Sequence, residues 1–270
     1  MPNFTAEKQV STNMNTITNP LFLQLLVGIV IGLGAGYLGS FMILKRMSLV
    51  GDAISHVALP GIAVALIFKI NPFLGAFAAL LLAVVAIWFL EKKTDLPSET
   101  LVGIFFALSL AVGILITPQP ELLEALFGDI TKISSIDALI TLVLTVIMFL
   151  VMFKIHRGLT LSVISKELAQ SMGVNVSKSS FLFLLLIAVV VALGLKVVGV
   201  FLMGALVIVP AAAAKNISIS LGDFTKLSAF FGGISALGGI LLANYLSFHP
   251  GPIVVLTSGA IFLLTLLFKK

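Results

Sequence analysis

The chain has 270 residues, 60% of them hydrophobic and 10% charged, with a net charge of +5 and no cysteine. One soluble core of this size has no room for so much apolar surface, so lipid is the expected solvent. Disulfides and thiolate metal sites are excluded, and the basic residues stand in ones and twos at segment ends, a topology signal rather than a nucleic-acid surface.

The polar stretch Met1 to Asn19 reads as part of a flexible, dispensable tail over residues 1–20, with no cleavable signal. The rest, 21–270, reads as one membrane domain. A spanning helix needs about 20 mostly apolar residues. Such runs are expected at 21–44, 53–68, 73–90, 101–117, 136–153, 181–195, 197–214, 227–246 and 253–268. The fold class is therefore all-α and polytopic, with nine spans, or eight if one is re-entrant. Residues 181–214 carry one charge, Lys196, and are too long for one crossing, which predicts a tight turn among Gly194, Lys196 and Gly199. Lys196 itself is expected to snorkel to the interface.

In the first span Gly28, Gly32 and Gly36 recur every four residues, a stripe on which another helix can pack closely. Basic pairs at Lys45 and Arg46, Lys92 and Lys93, Lys154 to Lys178, Lys215 with Lys226, and Lys269 with Lys270 fall on one side under alternating topology, which assigns that side to the cytoplasm. Opposite them lie an acidic outer loop with Glu121, Glu124 and Asp129, and a last outer loop near Asn244 and His249.

The stretch KRMSLVGDAISHVALPG, residues 45–61, carries the chemistry. Asp52 and His56 are four apart, on one face of a helix. A carboxylate and an imidazole without thiols suit a divalent first-row metal such as zinc or manganese. Ionisable groups in a span are costly and mark substrate or proton paths. Asp52 also fits an N-cap, and His56 a structural histidine. Pro60 lacks an N–H and deprives the His56 carbonyl of its helical partner, so Pro60 and Gly61 are expected to break the helix.

Residues 154–178 form the longest inner segment. Within it Ser165, Lys166, Glu167, Leu168 and Ala169 begin a short amphipathic helix that Gly173 can end, with Leu168 and Met172 on one side. A partner protein can grip such a helix, and a lipid surface can also receive it. No G-x-x-x-x-G-K-[ST], H-E-x-x-H or G-x-S-x-G sequence is present, so nothing supports an enzyme.

Together, R-M-S-x-x-G-D-x-x-x-H at 46–56 with Leu59, Pro60 and Gly61, LFGDI at 126–130, ELA at 167–169 with Gly173, KVVG at 196–199, PAAAA at 210–214 and GPIVV at 251–255 resemble the ABC-3 family. Its members are bacterial permease subunits of ATP-binding cassette importers for zinc, manganese or iron(II). The resemblance implies a homodimeric permease in the bacterial plasma membrane, paired with a separate ATPase and fed by an extracytoplasmic metal-binding protein. On the same resemblance it would hold no permanent cofactor and would pass the metal along Asp52 and His56. Residues 165–173 would be the coupling helix on the ATPase. Around residues 46–56 the resemblance leans towards zinc. A self-sufficient secondary cation transporter and a membrane scaffold are the alternative classes.

Overall fold

Long apolar runs satisfy their backbone within themselves as helices, the form that lipid demands. The computed structural model describes residues 20–94, 96–116, 130 and 133–268. The tail before Pro20 and the outer-loop residues Glu121, Glu124 and 126–129 lie outside these.

Among the described residues the helices are α1 (Pro20–Leu44), α2 (Val50–Ile67), α3 (Pro72–Lys93), α4 (Ser98–Ile116), α5 (Ser135–Ile164), the short α6 (Lys166–Ser171), α7 (Val176–Ile217), α8 (Leu221–Leu246) and α9 (Pro250–Leu266). Seven apolar helices are long enough to cross a membrane, and Leu202–Ile217 and Pro250–Leu266 are shorter apolar ones. That makes nine apolar segments when α7 is divided at its bend. No strand occurs among the described residues.

The glycine stripe on α1 meets α8. A Cβ at Gly28 would strike the Ile240 side chain, at Gly32 the Gly232 carbonyl and at Gly36 the Ser228 carbonyl. Rising numbers on one helix against falling numbers on the other make the pair antiparallel, with backbones in direct contact as small residues permit. Gly61 and Gly75 make the same kind of crossing between α2 and α3.

The inner segment expected over 154–178 is largely helical. α5 continues to Ile164 and α7 begins at Val176, leaving α6 between short connections. Lys154, His156 and Arg157 end the apolar run, but a change of solvent does not end a helix. Gly158 keeps the α5 extension close to Val174 and Ser179.

α7 has 42 residues, and Gly199 interrupts it at φ 76° and ψ 178°, a conformation open to glycine. A Cβ at Gly194 would collide with the Met203 side chain. Residues nine apart in a straight helix are about 13 Å apart along the axis. The chain therefore folds back sharply at Gly199, as the expected turn requires.

Candidate functional site

The site begins where α1 ends. Arg46 adopts a left-handed conformation (φ 60°), Met47 N–H donates to the Met42 carbonyl (2.9 Å) and Arg46 N–H to that of Ile43 (3.1 Å), a Schellman-type stop. α2 then starts at Val50 with Leu49 as cap, and no side chain caps it. Asp52 is thus inside the first turn, and the N-cap reading is corrected.

His56, one turn on, is 6% exposed. Its Nδ1 is 3.0 Å from the Asp52 carbonyl. A carbonyl only accepts, so Nδ1 carries the proton and, in the neutral ring, Nε2 carries the lone pair. The Phe106 ring of α4 stands edge-on to the imidazole at 5.1 Å. Ser55, between the two, donates to the Asp52 carbonyl (2.7 Å) and reaches the Val200 carbonyl on α7 (2.8 Å). Gly204 on the second half of α7 lies against Asp52. Neither Ser55 nor Gly204 stands out in the sequence as a site residue.

The expected break at Pro60 and Gly61 is also corrected, because α2 runs unbroken to Ile67 with Pro60 inside it. Proline removes one N–H, and the flanking turns are held by packing. Gly113 of α4 approaches Leu59 and Pro60 on one side, and Gly75 of α3 meets Gly61 on another.

Among the described residues no three or more His, Cys, Asp or Glu side chains are grouped as a metal site. Asp52 and His56 offer one carboxylate and one imidazole on one turn.

Lys196 does more than snorkel. It forms an ion pair with Asp137 at 2.5 Å and lies 5.1 Å from the centre of the Phe73 ring. Asp137 also completes a capping box with Ser134 at the start of α5. These groups line a cleft of about 390 Å³ with Asn71 and Thr141.

α6 is built as its sequence suggests. The Ser165 side chain accepts from Leu168 N–H (3.1 Å) and donates to Glu167 (2.7 Å). Gly173, at φ 79°, closes the helix by donating to the Gln170 carbonyl, while Val174 N–H reaches that of Ala169. Ala169 is fully buried, whereas Leu168 and Met172 are about half exposed, at 46% and 50%. The Glu167 carboxyl is held below its usual range, first by the Ser165 hydroxyl and then by its own backbone N–H.

A cleft of about 440 Å³ joins this helix to the turn leading into α2, lined by Lys45, Arg46, Met47, Glu91 and Lys166 among others. Burial pushes the Lys45 ammonium below the usual lysine range, Glu91 opposes the shift and Lys166 adds to it. Lys45 donates to Ser180 Oγ at 3.2 Å. The ends of α1, α3 and α5 and the start of α7, with Lys45, Arg46 and Lys166 beside them, therefore share one end of the bundle.

A family model described as the ABC 3 transport family matches residues 18–269. The manganese import system permease protein ScaB of Streptococcus parasanguinis is 36% identical over 250 residues, 90% of this chain and 89% of that one. The high-affinity zinc uptake system membrane protein ZnuB of Haemophilus influenzae is 32% identical over 255 residues, 93% of this chain and 97% of the relative. Among solved structures, PsaBC from Streptococcus pneumoniae in complex with Fab superposes with a TM-score of 0.80 at 30% identity, covering 95% of each chain. A fold of apolar helices matched almost end to end by these permeases leaves one assignment: the chain belongs to the ABC 3 transport family.

Proposed function

We propose that this chain is the permease subunit of an ATP-binding cassette importer that carries a divalent transition metal ion, manganese or zinc, into the cytoplasm of a bacterium. The observation that carries the proposal is the placing of half-buried Asp52 and buried His56 on one turn of α2, with the imidazole held through Nδ1 by the Asp52 carbonyl. A carboxylate and an imidazole bind manganese and zinc alike, and the relatives' names include both metals. Two ligands on one chain form an incomplete cage, which suits an ion that must be released. A second copy of the chain across a two-fold axis would double the set.

The ATPase is a separate subunit that docks on residues 165–173 at the basic end of the bundle, which is the cytoplasmic end. Leu168 and Met172 are the apolar contacts it covers. An extracytoplasmic metal-binding protein delivers the ion at the opposite end. ATP-driven movement at α6 reaches α2 through the cleft that Lys166 shares with Arg46 and Met47.

The test is uptake of Mn²⁺ and Zn²⁺ into vesicles holding the permease with its ATPase and supplied with its metal-binding protein. Asp52→Ala and His56→Ala should each abolish ATP-dependent uptake while the ATPase remains bound. Wild-type uptake by the double variant would sink the proposal.

A further inference from the structure

We infer that Ser55 is a positioning residue for the metal pair, tying the turn that bears Asp52 and His56 to the bend of α7 at Gly199. The inference rests on the metal-path reading above. Four buried serines show the contrast. Ser40, Ser228 and Ser235 donate to carbonyls of their own helices, at Tyr37, Phe224 and Phe231. Ser55, also fully buried, reaches Val200 on another helix.

A hydroxyl has one proton, and both of its close partners are carbonyls, which only accept. The proton is therefore divided between the Asp52 oxygen at 2.7 Å and the Val200 oxygen at 2.8 Å. The Asp52 oxygen also takes the Nδ1 proton of His56. The imidazole, the Asp52 carbonyl, the Ser55 hydroxyl and the Val200 carbonyl thus form one continuous polar chain in an apolar interior, where such bonds polarise one another.

Val200 follows the residue at which α7 turns back. Its carbonyl position depends on the Gly199 dihedrals, and four residues later Gly204 lets the same segment close on Asp52. Any change of the bend alters the Ser55 to Val200 distance, and with it the hold on His56. Ser55 touches no cargo in this account. It sets the orientation of groups that do.

The experiment measures Mn²⁺ uptake kinetics in vesicles containing the permease and its ATPase, with the metal-binding protein supplied, for Ser55→Ala, Ser55→Thr and Ser40→Ala. Loss of one interhelical bond should raise KM about threefold to tenfold in Ser55→Ala, with kcat changed less. Ser55→Thr keeps the hydroxyl and should stay close to the wild-type KM, as should Ser40→Ala. A wild-type KM in Ser55→Ala, or an equal loss in Ser55→Thr, overturns the inference. Asp52→Ala and His56→Ala, run alongside, separate the two readings. If they abolish uptake while Ser55→Ala does nothing, positioning alone fails, and if they leave uptake intact, the metal path itself fails.

Discussion

Gly204 stands so close to Asp52 that an added Cβ would lie 2.5 Å from the aspartate Cβ and 2.9 Å from Oδ1. Any larger residue must displace the carboxylate or part α7 from α2. Gly204→Ala is expected to cut metal uptake by about tenfold, the equivalent of an overpacking cost of about 1–3 kcal/mol, with ATPase assembly retained. Gly103→Ala is the control, because a Cβ there meets nothing within 4 Å. Equal uptake by the two variants would remove the constraint assigned to Gly204.

The α1 and α8 crossing predicts a loss of stability rather than of ion recognition. Gly32→Ala drives a methyl group into the Gly232 carbonyl, and Gly36→Ala drives one into that of Ser228. Carbonyls of a packed helix move less readily than side-chain ends. Each substitution should destabilise the detergent-solubilised permease by about 1–3 kcal/mol. Thermal unfolding measures it, and an unchanged midpoint for both would contradict the direct backbone contact.

The α6 cap predicts a pH effect at the end of the bundle that carries Lys45, Arg46 and Lys166. Glu167 is held below the usual glutamate range, chiefly by Ser165. A depressed carboxyl contributes stability above its unfolded pKa and loses it as pH falls through the lower folded value. In Ser165→Ala that loss should move up in pH towards the ordinary glutamate value of about 4.3. The variant also loses the cap on Leu168 N–H, which is typically worth about 1 kcal/mol. Amide exchange at Leu168 to Met172, followed from neutral pH down through and below the ordinary glutamate range, reports both effects. Identical exchange profiles in variant and wild type would refute the cap's role.

The pair Lys196 and Asp137 joins the start of α5 to the approach to the Gly199 bend. Both side chains are partly exposed, so solvent screens their attraction. A double-mutant cycle with Lys196→Met and Asp137→Asn should give a coupling energy of about 1 kcal/mol in thermal stability. Additive single effects would show that the ion pair contributes nothing.

Much of the scaffold is readable from composition, because a run of some 20 apolar residues has few alternatives in lipid. The stripe at Gly28, Gly32 and Gly36 announces a close contact, and the four-residue spacing of Asp52 and His56 announces a shared face. What the stripe does not reveal is its partner, since α8 lies some 200 residues further on. The same limit hides Ser55, whose bond to Val200 spans 145 residues of sequence, and Asp137, which is 59 residues from Lys196. Local chemistry misleads at two places. Pro60 suggests a break, but packing by Gly75 and Gly113 supports a continuous helix. The charges after Phe153 suggest a loop, but α5 continues for three more turns.

The bend at Gly199 leaves almost no connection to project beyond the bundle. Val197, Val198 and Val200 are each at most 2% exposed, whereas Phe248, in the connection between α8 and α9, is 63% exposed. In a chain without native cysteine, a single thiol placed at 198 or 200 will stay unlabelled by a water-soluble maleimide, while one at 248 will react. A topology map drawn from labelling will therefore count one turn fewer than hydropathy does, and an epitope spliced in at Gly199 will find no room.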